Sequence, residues 1–195
     1  NVVNPDDIVN RFGADTLRLY EMFMGPFDQA IAWSEEAIIG PRRFLERVWR
    51  MSYKVESYKV HKENKLEKIL NQTVKKVSEN IENMRFNTAI SAMMIFVNEV
   101  EKNNFQLSTF NFKTFLKLLS PFAPHITEEL WNKLGEKNSI NLSAWPKVEE
   151  KYLKDDEVKI VIQVNGKQTS EIKVPTDDTE ENSKKKALPD ATILK

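Results

Sequence analysis

The sequence predicts a mainly α-helical protein: an antiparallel helical bundle with a small C-terminal β-hairpin plus helix. Between Pro41 and Gly135, successive long segments each place apolar residues at helical spacing on one face. The joints between those segments are short, so consecutive helices become antiparallel neighbours. After Gly135 the helical period stops, and "VKIVIQVNGKQTSEIKV" alternates with a period of two about Asn165-Gly166, the strongest short hairpin signal.

"NVVNPDDIVNRFG" starts extended and turns helical. Asn4 can cap that helix, Pro5 suits its first turn, Asp6 and Asp7 favour its positive end, and Gly13 ends it. "ADTLRLYEMFMG" is a second short helix closed by Gly25 and Pro26, and "FDQAIAWSEEAIIG" is a connector with Ser34 as an N-cap. From Pro41 onward Phe44, Val48, Met51 and Val55 form one buried stripe. Leu66, Leu70, Thr73, Val77, Ile81 and Met84 form the next, and Phe86, Ile90, Met93, Val97 and Val100 the one after. "FNFKTFLKLLS" and "HITEELWNKLG" complete the bundle, the latter ended by Gly135.

"EKNSINLSAWPKVEEKYLKDDE" has no sustained apolar period and reads as a linker. In the hairpin, Val158, Ile160, Ile162 and Val164 share a face that Ile172 and Val174 should join. A two-residue loop would pair Val164 with Lys167 and set Glu171 opposite Ile160. A three-residue loop, with Gly166 in a left-handed bulge position, is expected instead, bringing Ile172 opposite Val158. Residues from Thr176 to Leu188 read as one more helix. A hairpin and one helix make a small core with an unprotected edge strand, so this end reads as truncated. The expected divisions are residues 1–40, a leading segment and connector; 41–135, the bundle; 136–157, the linker; and 158–195, a truncated α/β domain.

Composition narrows the function classes. Of 195 residues 41% are hydrophobic and 30% charged, which suits a helix-rich globular chain. Lys+Arg and Asp+Glu both number 29, so any basic site must be local. With no cysteine, disulfide frameworks, thiol nucleophiles and cysteine zinc clusters are out. No apolar run approaches the roughly 20 residues that span a bilayer. The chain begins at Asn1 rather than Met and reads as an excised piece.

"SPFAPHITEELW" places His125 just ahead of Glu128 and Glu129, which invites a metal or an acid/base pair. A zinc helix needs a second histidine one turn away, and the other histidine, His61, lies in the polar "YKVHKENK" joint. A structural role is expected: Glu128 and Glu129 in the first turn meet the helix dipole, and Pro121 and Pro124 shape the turn into it. No catalytic and no metal-binding residue is assigned. A second candidate is basic. Arg43, Arg47, Arg50 and Lys54 stand at steps of four, three and four, one helix face that Arg42 extends. Arg forks on such a face can track phosphates, while Glu46 can pair with Arg42 or Arg50 and leave only a solvated face. Lys75, Lys76 and Arg85 are weaker versions of the same pattern. Trp33, Trp49, Trp131 and Trp145 could stack on bases, but Trp49 and Trp131 flank apolar stripes and suit the core; Met93 and Met94 are filler. Five glycines leave no material for a glycine-rich phosphate loop.

"NVVNPDDIVNRFGADTLRLYEMFMGP", "PRRFLERVWR" and "RFNTAISAMM…LLSPFAPHITEELW" together resemble the C-terminal half of a bacterial leucyl-tRNA synthetase, a class I aminoacyl-tRNA synthetase. "VKIVIQVNGK" looks like the start of that enzyme's C-terminal domain. Valine and isoleucine synthetases share the bundle and looser forms of the first and third stretches; "IAWSEE" and the hairpin favour the leucine family.

The resemblance implies that Asn1 follows the family's K-M-S-K-S loop, with the nucleotide-binding fold, the H-I-G-H motif and the editing domain also upstream. The parent would be a cytoplasmic leucine–tRNA ligase using ATP with Mg, and this piece would hold no cofactor and be inactive alone. Its implied work is docking tRNA(Leu): residues 1–40 as the stem-contact segment joined to the upstream catalytic domain of the same chain, and 41–135 as the anticodon-binding domain. No membrane partner is implied. In this family the domain is thought to grip the tRNA limbs without relying on anticodon bases. An arginine face suits that, with no aromatic pocket for splayed bases evident in the sequence. The implied contacts are Arg42, Arg43, Arg47, Arg50, Lys54, Lys75, Lys76 and Arg85. Family members usually follow "VNGK" with a basic residue and glycine, whereas this chain has Gln168, Thr169, Ser170 and Glu171, a less basic hairpin for the tRNA corner. The alternatives are the same portion of a valyl- or isoleucyl-tRNA synthetase, and a protein-interaction bundle without RNA.

Overall fold

Each apolar stripe becomes the inward face of a helix. Among the described residues the helices are α1 (Pro5–Phe12), α2 (Ala14–Phe23), α3 (Ile39–Ser52), α4 (Asn64–Glu82), α5 (Phe86–Lys102), α6 (Thr109–Leu119) and α7 (Pro124–Lys133). The computed structural model describes residues 3–26, 28–55, 64–153, 157–164, 167–175 and 182. The chain divides into two units, residues 1–149 and 150–195.

In the first unit, α1 starts as its sequence directs. Asn4 Oδ1 accepts the Asp6 N–H at 3.1 Å, and Gly13 closes the helix at a φ of 89° by donating its N–H to Val9 O at 2.8 Å. Residues 15, 16, 19 and 20 make the buried face of α2. Its Tyr20 hydroxyl donates to Ser34 O and accepts the Ser34 N–H, both at 2.9 Å, pinning the connector. Ser34 caps a turn before α3 rather than α3 itself: its Oγ accepts the Ala37 N–H at 3.3 Å, and the helix begins at Ile39. Ile8, Tyr20 and Ile38 form a small cluster with Trp33 against it.

The main core is drawn from α2 to α7. Phe44, Val48, Met51, Leu66, Leu70, Val77, Ile90, Met93, Val97 and Leu130 are all buried in it. Phe96 and Phe115, both fully buried, stack at 5.0 Å between ring centroids and link α5 to α6. One stripe residue departs from expectation. Met84 lies beyond the end of α4, in the left-handed region at a φ of 56°, and is 54% exposed.

The linker expected over 136–157 is corrected for its first part. Ile140 is buried in the main core, Trp131 Nε1 donates to Asn138 O at 3.0 Å, and Glu149 N–H donates to Asn71 Oδ1 at 2.8 Å. This stretch packs through single anchors and side chain–backbone bonds, which leave no periodic trace. The bundle unit therefore runs to Glu149.

In the second unit β1 (Glu157–Val164) pairs antiparallel with β2 (Lys167–Pro175). The register corrects the expected odd-length loop, for Val164 pairs directly with Lys167. Between the pairs Gln163–Gln168 and Ile162–Ser170 the register shifts and Thr169 is skipped, setting Ile160 opposite Ile172 and Val158 opposite Val174. The offset needed to match apolar positions is thus taken up by a bulge inside β2. The turn at Asn165-Gly166 and the helix expected from Thr176 lie outside the described residues, as does His61.

Candidate nucleic-acid interface

The stretch that looked chemical is a junction, and α2 holds it. Asp15, 8% exposed, accepts the Ile126 N–H at 2.7 Å on Oδ2 and the His125 N–H at 3.3 Å on Oδ1, and that same Oδ1 lies 2.7 Å from His125 Nδ1. One turn along α2, Arg18 donates to Pro121 O at 2.9 Å and Phe122 O at 3.3 Å. The acid thus satisfies free N–H groups at the start of α7, and the base satisfies carbonyls at the end of the α6–α7 turn. Ala123, at the N-cap of α7, has no side-chain acceptor, so the cap arrives from another helix.

This corrects the first-turn role expected of Glu128 and Glu129, which lie further along α7. Glu128 Oε2 accepts the Ile140 N–H at 3.0 Å and the Ser139 hydroxyl at 3.2 Å, while Glu129 pairs with Lys133 at 3.6 Å. The two carboxylates and His125 thus each serve a different neighbour. Periodicity missed Asp15 and Arg18, although an aspartate on the buried face of α2 was a usable signal, since buried carboxylates need partners.

The basic face lies on α3, whose buried residues Phe44, Leu45, Val48 and Met51 fix its orientation. Arg43, Arg47 and Arg50 fall within a sector of roughly 60° at helical geometry, and Lys54 follows just past the helix end. Arg43, Arg50 and Lys54 are exposed, and their side chains have no ion-pair or hydrogen-bond partner among the described residues. Arg47 differs. Its Nη2 donates to Glu101 Oε2 and Asn98 Oδ1, each at 2.7 Å, and its Nε reaches the Glu101 carboxylate at 3.1 Å. Arg42 is also engaged, with Nε 2.8 Å from Glu46 Oε1 and Nη1 2.8 Å from Phe12 O. Among the described residues, the stripe therefore carries cations without a side-chain partner on either side of a paired one.

Lys75, Lys76 and Arg85 stand on other elements: the lysines on α4, where Lys75 lies 3.9 Å from Glu79, and Arg85 at the α4–α5 joint. All three are exposed, and α3 packs chiefly on α2, α5 and α7. They do not lengthen the α3 face.

Among the described residues, clefts flank that face on either side. One of about 780 Å³ is walled by the α1–α2 joint, α3 and the start of α7, with Arg42 and Arg50 on its rim. The other, about 410 Å³, opens between the ends of α3 and α5 and is lined by Arg47, Arg50, Lys54, Glu101 and Phe105. The tryptophans take no common part. Trp131 is buried, Trp49 packs on the core under Lys133 Nζ at 3.7 Å, and Trp145 is tied to Ser78 Oγ at 2.8 Å.

Comparison with known proteins supplies a context for this geometry. A family model described as "Anticodon-binding domain of tRNA ligase" matches residues 63–184. Among solved structures, the whole chain superposes with a TM-score of 0.85 and 26% identity on a chain of the crystal structure of the ternary complex of Agrobacterium radiobacter K84 agnB2 LeuRS-tRNA-LeuAMS. It spans 28% of that chain's length.

Proposed function

The chain belongs to the anticodon-binding-domain family of tRNA ligases, and on that premise we propose that it is the tRNA-docking portion of a leucyl-tRNA synthetase. It would seat tRNA(Leu) while upstream domains of the parent adenylate leucine and transfer it to the tRNA 3′ end. The observation that carries this reading is the likeness of the whole chain, not of the bundle alone, to the LeuRS of a tRNA complex.

In this reading residues 1–40 are the stem-contact segment, and the Asp15–Arg18 clamp fastens it to the bundle. The exposed cations Arg43, Arg50 and Lys54 hold backbone phosphates of the A-form limbs, which requires shape and charge rather than base reading. Lys75, Lys76 and Arg85 are further phosphate contacts, and residues 158–195 begin a C-terminal α/β domain. The motifs that bind ATP and its magnesium ion lie upstream, so the chain alone is inactive in leucylation. The parent works in the cytoplasm; no helix among the described residues is long and apolar enough to cross a membrane.

Ribonuclease footprinting of tRNA(Leu) with the purified chain tests the docking mode. Protection of the limb backbone with the anticodon loop left open supports it. Protection confined to the anticodon loop, or none, refutes it.

A further inference from the structure

The cleft between the ends of α3 and α5 offers more than a phosphate track. At about 410 Å³ it is within the size range of small-ligand sites. Arg50 and Lys54, which have no side-chain partner among the described residues, line it, and Arg47 is fixed against Glu101, so among the described lining residues three cations face one carboxylate. Its floor is apolar, with Met51 buried and the partly buried Phe105 ring beside it. Lys65 Nζ, 5.7 Å from the centre of the Phe105 ring, adds positive charge beside that floor.

Cations above an aromatic floor suit a nucleotide whose base face is free. A paired base has its faces covered by neighbours, whereas an unpaired one can leave the stack and lie on an aromatic side chain. We propose that this cleft is a subsite for one unpaired nucleotide of the bound RNA, its base against Phe105 and Met51 and its phosphate on Arg50 and Lys54. The proposal rests on the tRNA-docking reading and adds to it a preference between RNA forms that phosphate tracking alone does not give.

The test compares two probes bound to the full chain at one salt concentration: a fully paired RNA duplex, and the same duplex with one bulged adenosine. The expected result is about fivefold or greater preference for the bulged RNA, the lower end of what one base stacked on an aromatic contributes. Phe105→Leu, which keeps apolar packing, should erase most of that preference, and Lys54→Gln, at an exposed position, should weaken the bulged RNA more than the duplex. Arg43→Ala, outside the cleft, should weaken both RNAs alike. Equal affinity for the two RNAs, or a preference untouched by Phe105→Leu and Lys54→Gln, overturns the subsite and leaves the docking reading intact. Binding of neither RNA overturns both.

Discussion

Asp15 and Ile126 are 111 positions apart in the chain and 2.7 Å apart across a hydrogen bond from the Ile126 N–H to the Asp15 carboxylate. Through that bond the segment before the bundle caps the last bundle helix. Asp15→Ala would leave N–H groups of α7 without their acceptor, and a loss of about 1–3 kcal/mol is expected. Asp15→Asn, which keeps one acceptor oxygen, should lose less. Urea unfolding reads both, with the midpoint moving and the slope unchanged. An unmoved midpoint in Asp15→Ala contradicts the cap.

His125 has a smaller part. Its side chain is 74% exposed although Nδ1 touches Asp15. His125→Ala should therefore cost under about 1 kcal/mol, in the range of exposed polar pairs. Purified protein should carry no stoichiometric zinc; one zinc per chain, lost in His125→Ala, would restore the metal reading.

Phe96 and Phe115 anchor the bundle centre with both rings fully buried. Phe96→Ala should cost about 3–5 kcal/mol, transfer and cavity terms together. Thermal and urea unfolding should agree on that loss, and a change below 1 kcal/mol would mean that α5 and α6 are not packed as described.

Arg47 is already neutralised by Glu101. Arg47→Ala should therefore weaken RNA binding less than Arg43→Ala or Arg50→Ala does. Glu101→Gln, which removes the competing carboxylate, should strengthen binding several-fold. Weaker binding in Glu101→Gln would show that the carboxylate orients Arg47 for RNA rather than competing with it.

What the sequence made legible was periodic and local. The stripes of α3 and α5 follow from residues such as Phe44, Val48, Ile90 and Val97 at helical spacing, and the Asn4 and Gly13 caps from their own neighbourhood. What it hid was either non-periodic or distant. Residues 136–149 read as linker because their apolar anchors, buried Ile140 and partly buried Val148, stand eight positions apart without a helical period, and the other ties are polar. The α3 stripe read as four equal cations because the partner of Arg47 sits 54 positions away on α5. The strand register was missed because a hydrophobic pattern fixes which residues should face each other, not whether a loop or a bulge supplies the offset.

The central claim is that the α3 face binds RNA phosphates, and the salt dependence of tRNA affinity tests it most directly. Across a salt series, log affinity should fall steeply and linearly with log salt. Arg43→Ala and Arg50→Ala should each reduce that slope by about 1, and the double variant by about 2. Affinity that ignores salt, or a slope unmoved in the double variant, would contradict the account.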